Sequence, residues 1–145
     1  MFITSESTVD VLIYYKKKGF HYLAYSENDF KEIKESFSSG EESEYKVLNV
    51  KMKQLSWGLY NELQEGATDT DLEGNRIFNY KKYKELRLTK LIVGWDAKTI
   101  DKRNGQEIDV RVTDQTIKSL APEIAETILT AYDSVVYMTE EEEKK

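Results

Sequence analysis

Apolar side chains recur at helical spacing in two stretches of the second half of the chain. In the first, over residues 78–95, the apolar positions are Leu88, Leu91, Ile92 and Trp95. Their i, i+3, i+4 and i+7 spacing places them on one helical face. The second stretch has Pro122 in its first turn and carries Ile124, Ala125, Ile128, Leu129, Tyr132, Val135 and Val136. Neither helix can bury its stripe alone, so we expect the two helices to pack together.

Three shorter helices are indicated by capping residues followed by apolar positions. Ser26 and the polar residues after it can begin a helix that runs to about residue 37. Ser56 can cap a helix from Trp57 to Gly66, where glycine is a common residue just past a helix end. Thr113 can cap a further helical turn.

Strand patterns separate these helices. Residues 9–15 and 20–25 are rich in β-branched and aromatic types around a turn at 16–19, which predicts a hairpin. Residues 45–55 alternate between apolar and polar side chains, as a half-buried strand does. A turn at 103–105 leads into a short half-buried strand over 108–112.

These elements predict an α+β fold in which a small N-terminal β-hairpin and strands pack with a bundle of about three to four amphipathic helices. A chain of 145 residues fits one domain, which we place at 1–139. Within it, 1–45 hold the hairpin and short helix, and 46–139 form the main helical part. Residues 140–145 are a charged segment without a core contribution.

Charge and composition narrow the classes of function. The net charge of −6 argues against nucleic-acid binding through an overall field, and the cluster Lys16-Lys17-Lys18 is more typical of a solvated turn than of an anion site. The chain has no cysteine, which excludes disulfides and thiolate metal sites. Without a leader pattern or an apolar run of about 18 residues, we expect a soluble intracellular protein that does not enter a membrane.

Two features of the sequence are candidate chemical sites. Residues 69–74 begin like a calcium loop, with carboxylates at positions 1, 3 and 5 and glycine at 6, but position 12 is Tyr80 instead of glutamate. An ordinary acidic turn is the better interpretation. His21 is the only histidine and has no predicted partner. With no enzyme motif present, we expect no catalytic residues, no cofactor and no metal.

The aromatic content favours binding over catalysis. Ten tyrosines, five phenylalanines and two tryptophans offer large rigid contact areas with polar edges. We expect Trp57, Leu91 and Trp95 in the core. An interface and a core are equally consistent with Tyr14, Tyr15, Tyr22, Tyr25, Tyr132 and Tyr137.

The order of four short blocks carries a family resemblance. These blocks are Leu-Ser-Trp at 55–57, Val-Gly-Trp-Asp at 93–96, Val-Thr-Asp at 112–114 and Leu-Ala-Pro-Glu-Ile-Ala at 120–125. Over residues 46–137 this layout resembles small proteins of tailed-phage structural gene clusters, in particular the tail assembly chaperones. The resemblance does not extend to the first 45 residues.

The resemblance implies a non-enzymatic protein in the host cell cytoplasm. Tail assembly chaperones coat the helical tape measure protein before the tail tube forms around it, so the implied partners are tape measure and tail tube proteins, and a homo-oligomer is compatible. A groove between the two main helices would shield apolar client segments. The implied protein-binding residues are Leu88, Leu91, Ile92, Trp95, Ile128 and Tyr132, which would otherwise form the core.

Two other functions stay open from the sequence. The chain could be a permanent virion component of the tail, neck or capsid, docked through the aromatic hairpin at 9–25. Its acidic charge also suggests, less strongly, an inhibitor that mimics nucleic acid against a host protein.

Overall fold

The computed structural model describes residues 1–4 and 6–137. Within them the strands are β1 (Thr8–Lys18), β2 (His21–Ser26), β3 (Lys46–Lys53), β4 (Thr68–Thr70), β5 (Arg76–Phe78), β6 (Ile92–Trp95), β7 (Lys98–Ile100) and β8 (Glu107–Asp109). The helices are α1 (Glu27–Ile33), α2 (Trp57–Gly66), α3 (Tyr80–Leu91), α4 (Asp114–Lys118) and α5 (Pro122–Val136). The charged segment predicted at 140–145 lies outside the described residues.

A four-stranded antiparallel sheet organises the fold, with strand order β2-β1-β3-β6. Because side chains alternate along a strand, Val11 and Ile13 of β1 point to the same face, and both are fully buried. Val50 of β3 pairs with Val11 on one side and with Trp95 of β6 on the other. One face of the sheet is therefore an apolar surface that a helix must cover.

Helix α5 covers that face, packing mainly against β1 and β2. Its apolar positions point into the core, where Ile128 and Tyr132 are fully buried. The Tyr132 hydroxyl donates a hydrogen bond to the carbonyl of Lys53 at 2.8 Å, which satisfies its only polar group. Helix α3 adds Leu88 and Leu91 to the same core.

The predicted fold class was wrong in its architecture, although the structure is α+β. The strands do not form a small N-terminal hairpin beside a helix bundle, because β3 and β6 extend the β1–β2 hairpin into the four-stranded sheet. The helices are mostly in the C-terminal part, and the longest of them packs on the sheet instead of in a bundle. The two main helices do pack together as expected, but α5 buries most of its stripe on the sheet, which is the larger apolar surface.

The helix predicted over 78–95 ends four residues early, at Leu91. Ile92 and Val93 are β-branched and Gly94 is a poor helix former, so this segment gains more from pairing with β3. Ile92 lies opposite Met52, and the register shifts by a bulge between Lys51 and Met52. Two of the four stripe positions, Ile92 and Trp95, thus belong to a strand.

Several local predictions are confirmed. The β1–β2 hairpin forms around Gly19, whose φ of 63° is in the left-handed region that glycine tolerates. Ser26 and Ser56 cap α1 and α2, their hydroxyls accepting from the backbone N–H groups of Asp29 and Leu59 at 3.3 and 3.2 Å. The turn near Gly105 joins β7 to β8, but the strand predicted over 108–112 ends at Asp109 and is exposed, whereas the half-buried Val110 and Val112 lie beyond it.

The second face of the sheet carries an aromatic cluster next to α1. The Tyr14 and Phe30 rings stack with centroids 4.2 Å apart, and the Phe37 and Tyr45 rings stack at 5.3 Å. Phe30 joins the two pairs through an edge contact with Tyr45. Among residues 1–4 and 6–137, no helix has the length and apolar character needed to cross a membrane.

Candidate protein interface

Exposed aromatic rings gather where α2, the β4–β5 ribbon, α3 and the end of α5 meet. Trp57 is 78% exposed, Tyr137 58%, Phe78 45% and Tyr60 38%. The rings of Trp57 and Tyr60 lie 6.1 Å apart, and those of Phe78 and Tyr83 lie 5.3 Å apart. We call these five residues, Trp57, Tyr60, Phe78, Tyr83 and Tyr137, the aromatic surface.

Tyr83 lies on α3, which packs against both α2 and α5. Burial is the main cause that raises the pKa of Tyr83, Arg87 lowers it, and Tyr137 and Tyr60 raise it further. The two ring pairs and Tyr137 therefore lie on elements that pack together.

Local sequence explains why α2 presents its rings outward. Ser56 fixes where the helix begins, which puts Trp57 in the first turn and Tyr60 one turn later on the same side. Leu63 is buried on the other side. At about 100° per residue, Trp57 and Leu63 are separated by well over a quarter of a turn, so both cannot face the core.

Asn79 positions the second half of the surface. Its side-chain oxygen accepts from the Lys82 N–H at 3.1 Å, its side-chain nitrogen donates to Asp69 at 3.2 Å, and its backbone N–H donates to the Ala67 carbonyl at 2.8 Å. These contacts tie the start of α3 to the ribbon and to the end of α2. Tyr83 lies one turn into the helix they anchor.

Arg87 supports the aromatic surface from below. Its guanidinium carbon is 5.6 Å from the ring centroids of both Tyr83 and Tyr132, and its Nη2 pairs with the Asp133 carboxylate. The residue is only 7% exposed, and its Nε has no hydrogen-bond partner among the described residues. The cation fixes the Tyr83 ring against the core through cation–π contact.

A shallow apolar groove separates α2 from α3. It has a volume of about 200 Å³, and its lining residues are Leu59, Glu62, Leu63, Gly66, Leu86 and Lys90. The two helices approach closely because Gly66 has no side chain: an added Cβ would lie 3.0 Å from Leu86 Cδ1. The groove lies along α2, the helix that carries Trp57 and Tyr60, although neither ring lines it.

The six residues predicted to bind a protein lie mainly inside the fold. Leu88, Leu91, Ile92, Ile128 and Tyr132 are buried in the hydrophobic core. Trp95 is half-buried, and its indole N–H donates to the Val110 carbonyl at 2.7 Å. In this conformation they stabilise the fold, and the side chains that face solvent are those of the aromatic surface.

Sequence reasoning missed the main residue of this surface. The expectation that Trp57 lies in the core was wrong, because the residue is 78% exposed. The spacing of Leu59 and Leu63, one turn apart on the inner side, was the signal that could have placed Trp57 outside. Leu91 was predicted correctly, and of the six undecided tyrosines the structure buries Tyr132 and leaves Tyr137 exposed.

The acidic loop at 69–74 and His21, the two candidate chemical sites in the sequence, make local contacts. One Asp71 carboxylate oxygen accepts from the backbone N–H groups of Glu73 and Asn75, at 2.9 and 2.8 Å, and so shapes the β4–β5 turn. Asp69 pairs with Lys82, a hydrogen bond that lowers the pKa of the Asp69 carboxyl. His21 is exposed, with its Nδ1 3.5 Å from a Glu123 oxygen.

The chain matches no protein-family model, and comparison with curated proteins and with solved structures gives no match either. The chemistry of the exposed surface and the sequence resemblance are therefore the two indications of function.

Proposed function

We propose that the chain is a non-enzymatic phage tail assembly chaperone that binds the tape measure protein in the host cell cytoplasm through its aromatic surface. The observation that carries the proposal is the aromatic surface, in which Trp57 is 78% exposed and pairs with Tyr60, and Phe78 pairs with Tyr83. Tryptophan and tyrosine dominate the energetics of protein interfaces because each buries a large rigid area at low entropic cost.

The shape of the surface suits a helical partner. An amphipathic helix places apolar side chains at i, i+3, i+4 and i+7, and such a row fits an apolar groove flanked by aromatic residues. The groove between α2 and α3 is such an apolar site, and Tyr60 lies on the same helix as its lining residues Leu59 and Leu63. The tyrosine hydroxyls at the rim can satisfy polar groups at the edge of the bound helix.

Charge supports a shielding role. The chain has a net charge of −6, so several copies bound along an apolar client would repel one another and keep the complex dispersed. The identity of the client as a tape measure protein rests on the resemblance of residues 46–137 to tail assembly chaperones.

The test is co-purification with the tape measure protein encoded in the same structural gene cluster. We expect wild-type chain to retain that protein in solution, and the double variant Trp57→Ser, Tyr60→Ser to lose at least about tenfold in affinity. The control is Phe20→Ser, which removes an aromatic ring that is 99% exposed at the β1–β2 turn, away from the aromatic surface. Equal loss in the control, or none in the double variant, would contradict the proposal.

A permanent virion component is the second candidate, and Phe20 is the observation that favours it. A fully exposed phenylalanine at the tip of a hairpin is the kind of element that docks into a neighbouring subunit. Mass spectrometry of purified particles separates the two functions. The chaperone proposal predicts that the chain is absent from finished particles, whereas a stoichiometric amount, lost in Phe20→Ser, would establish the structural role.

A further inference from the structure

A basic cleft lies on the side of the molecule where β1 and β2 end and the β7–β8 hairpin begins. It has a volume of about 700 Å³ and is lined by six lysines and two glutamates. The six lysines are Lys16, Lys17, Lys18, Lys46, Lys98 and Lys102. The local charge is thus opposite in sign to the net charge of −6 on the chain.

Much of this positive charge is not neutralised within the fold. Lys16 pairs with Glu44 at 3.0 Å and Lys98 pairs with Asp109 at 3.5 Å. The remaining four lysines of the cleft make no ion pair with any residue in 1–4 or 6–137. Concentrated like charges repel each other, so an anion that entered the cleft would relieve this repulsion as well as gain its own contacts.

The cleft is also shaped to receive a chain segment. Tyr15 and Tyr22 form its inner wall with rings 6.2 Å apart, and Ile100 of the β7–β8 hairpin lies on the opposite side. Aromatic and aliphatic walls can pack against the methylene groups of long acidic side chains while lysines reach their carboxylates. Lysine, as a compact mobile cation, suits carboxylates arranged along a flexible peptide.

We propose that this cleft binds the four consecutive glutamates at 140–143 of a second copy of the chain. This is the densest run of negative charge in the sequence, and its sign is opposite to that of the cleft. The proposal is independent of the tail chaperone function and goes beyond it, because it makes the protein self-associate in a head-to-tail manner. The three lysines at the end of β1 then have a role beyond solvation.

Chain length explains why a second copy is the occupant. Helix α5 begins beside the cleft, where Glu123 lies 3.5 Å from His21 and His21 pairs with Lys18. Its other end, at Val135, shares a small cavity with Val11, six strand residues from Lys17. Six strand residues span about 20 Å, so the end of α5 beside Val11 lies about 20 Å from Lys17 of the cleft.

From Tyr137, three further residues reach Glu140 and span at most about 11 Å, even when fully extended. Six residues reach Glu143 and span at most about 22 Å. Backbone reach alone brings only the last glutamate of a chain level with Lys17 of its own cleft, whereas the segment of a second copy can bring all four.

The acidic body of the protein favours a short peptide over a nucleic acid in this cleft. A nucleic acid longer than the cleft would be repelled by a chain whose net charge is −6. A run of four glutamates ends within the cleft. Because each copy has one cleft and one acidic segment, the contact is heterologous, and it propagates into rings or open chains.

The test uses three variants whose folding is first checked by circular dichroism. The segment variant has glutamine at 140–143, the cleft variant carries Lys17→Glu and Lys102→Glu, and the control variant carries Lys34→Glu and Lys81→Glu. The control makes the same change in net charge at exposed lysines outside the cleft. Sedimentation is measured over a range of protein concentrations at about 50 mM and about 500 mM salt.

We expect the wild type and the control variant to associate at low salt, with association at least about tenfold weaker at high salt. The segment and cleft variants should each be monomeric. Mixed together they should form a one-to-one complex and nothing larger, because only one intact cleft and one intact segment then meet. A wild type that stays monomeric at low salt, or association that survives in either variant alone, would overturn the proposal.

A peptide measurement guards against variants that fail to fold. A fluorescent peptide with the sequence of residues 138–145 should bind the segment variant, whose cleft is intact, and the same peptide with glutamine at 140–143 should bind at least about tenfold more weakly. If a short single-stranded oligonucleotide occupies the cleft and the acidic peptide does not, the cleft is a nucleic-acid site and the proposal is wrong.

Discussion

Helices α5 and α2 are both amphipathic and both carry large aromatic residues, but α5 buries its Tyr132 whereas α2 exposes its Trp57 to solvent. Tyr132 of α5 is fully buried and its hydroxyl donates to a backbone carbonyl at 2.8 Å. Trp57 of α2 is 78% exposed and touches another exposed ring, that of Tyr60. The residue type alone does not decide which environment each ring has.

The difference lies in what each helix packs against. Helix α5 lies on a sheet face that offers the apolar side chains of several strands, so a whole helical stripe is buried. Helix α2 has α3 and the short strand β4 as its neighbours, and only Leu63 among its side chains is fully buried. We infer that the α5 face stabilises the fold and that the α2 face is left for a partner.

Ile128→Ala should have the largest effect on the stability of the fold. The isoleucine side chain is fully buried between α5 and the sheet, so its truncation leaves a cavity and should lower the free energy of unfolding by about 3 kcal/mol. Urea denaturation followed by circular dichroism measures the change. A loss below about 1 kcal/mol would mean that α5 is not a core element.

Tyr132→Phe should have a smaller effect that depends on pH. Loss of the hydrogen bond to the Lys53 carbonyl should cost about 1 kcal/mol at neutral pH. Burial raises the pKa of Tyr132 to about 12, above the value of about 10 in an unfolded chain.

Because the folded state holds this proton more tightly, the associated stability is complete below about pH 10 and is lost as pH rises towards 12. Thermal melts of wild type and Tyr132→Phe between pH 8 and about 11.5 should therefore converge at the alkaline end. Parallel loss of stability in both proteins would show that another group controls alkaline unfolding.

Asn79→Ala should loosen the support of the aromatic surface without opening the core. The variant removes the cap of α3 and the link to Asp69, so we expect a loss of about 1 kcal/mol. Hydrogen exchange should accelerate in the first turn of α3 and stay unchanged in α5. The matched control is Lys81→Ala, an exposed position in the same turn, which should leave both helices unchanged.

Trp57→Ser should have the smallest effect on stability and the largest on binding. An exposed side chain contributes little to the folded state, so the free energy of unfolding should change by less than about 0.5 kcal/mol. Affinity for the tape measure protein should fall by at least about tenfold. A strong loss of stability would move Trp57 into the core and remove the basis for the interface.

Features encoded within a few residues could be predicted from the sequence, and features that depend on distant pairing could not. Ser26, Ser56 and the turn around Gly19 each act through neighbours three or four residues away. The pairing of Met52 with Ile92 joins segments 40 residues apart, and Ile92 also fits the helical stripe that precedes it. Nothing in the local pattern distinguishes these two environments.

The candidate interface could be predicted only in part from the sequence. The abundance of aromatic residues correctly indicated that some of them had no place in a core of this size, but not which ones. Tyr83 and Tyr137 come together only because α3 and α5 meet at their ends, 54 residues apart in sequence. Their placement follows from the tertiary fold.

Hydrogen–deuterium exchange of the wild-type chain, free and saturated with the tape measure protein, shows directly whether the aromatic surface is the binding site. If the aromatic surface is the binding site, peptides covering α2 and the first half of α3 should gain protection, while the β1–β2 turn at Phe20 should exchange as in the free protein. Protection confined to the β1–β2 hairpin, with α2 unchanged, would contradict the account and identify the hairpin as the docking element.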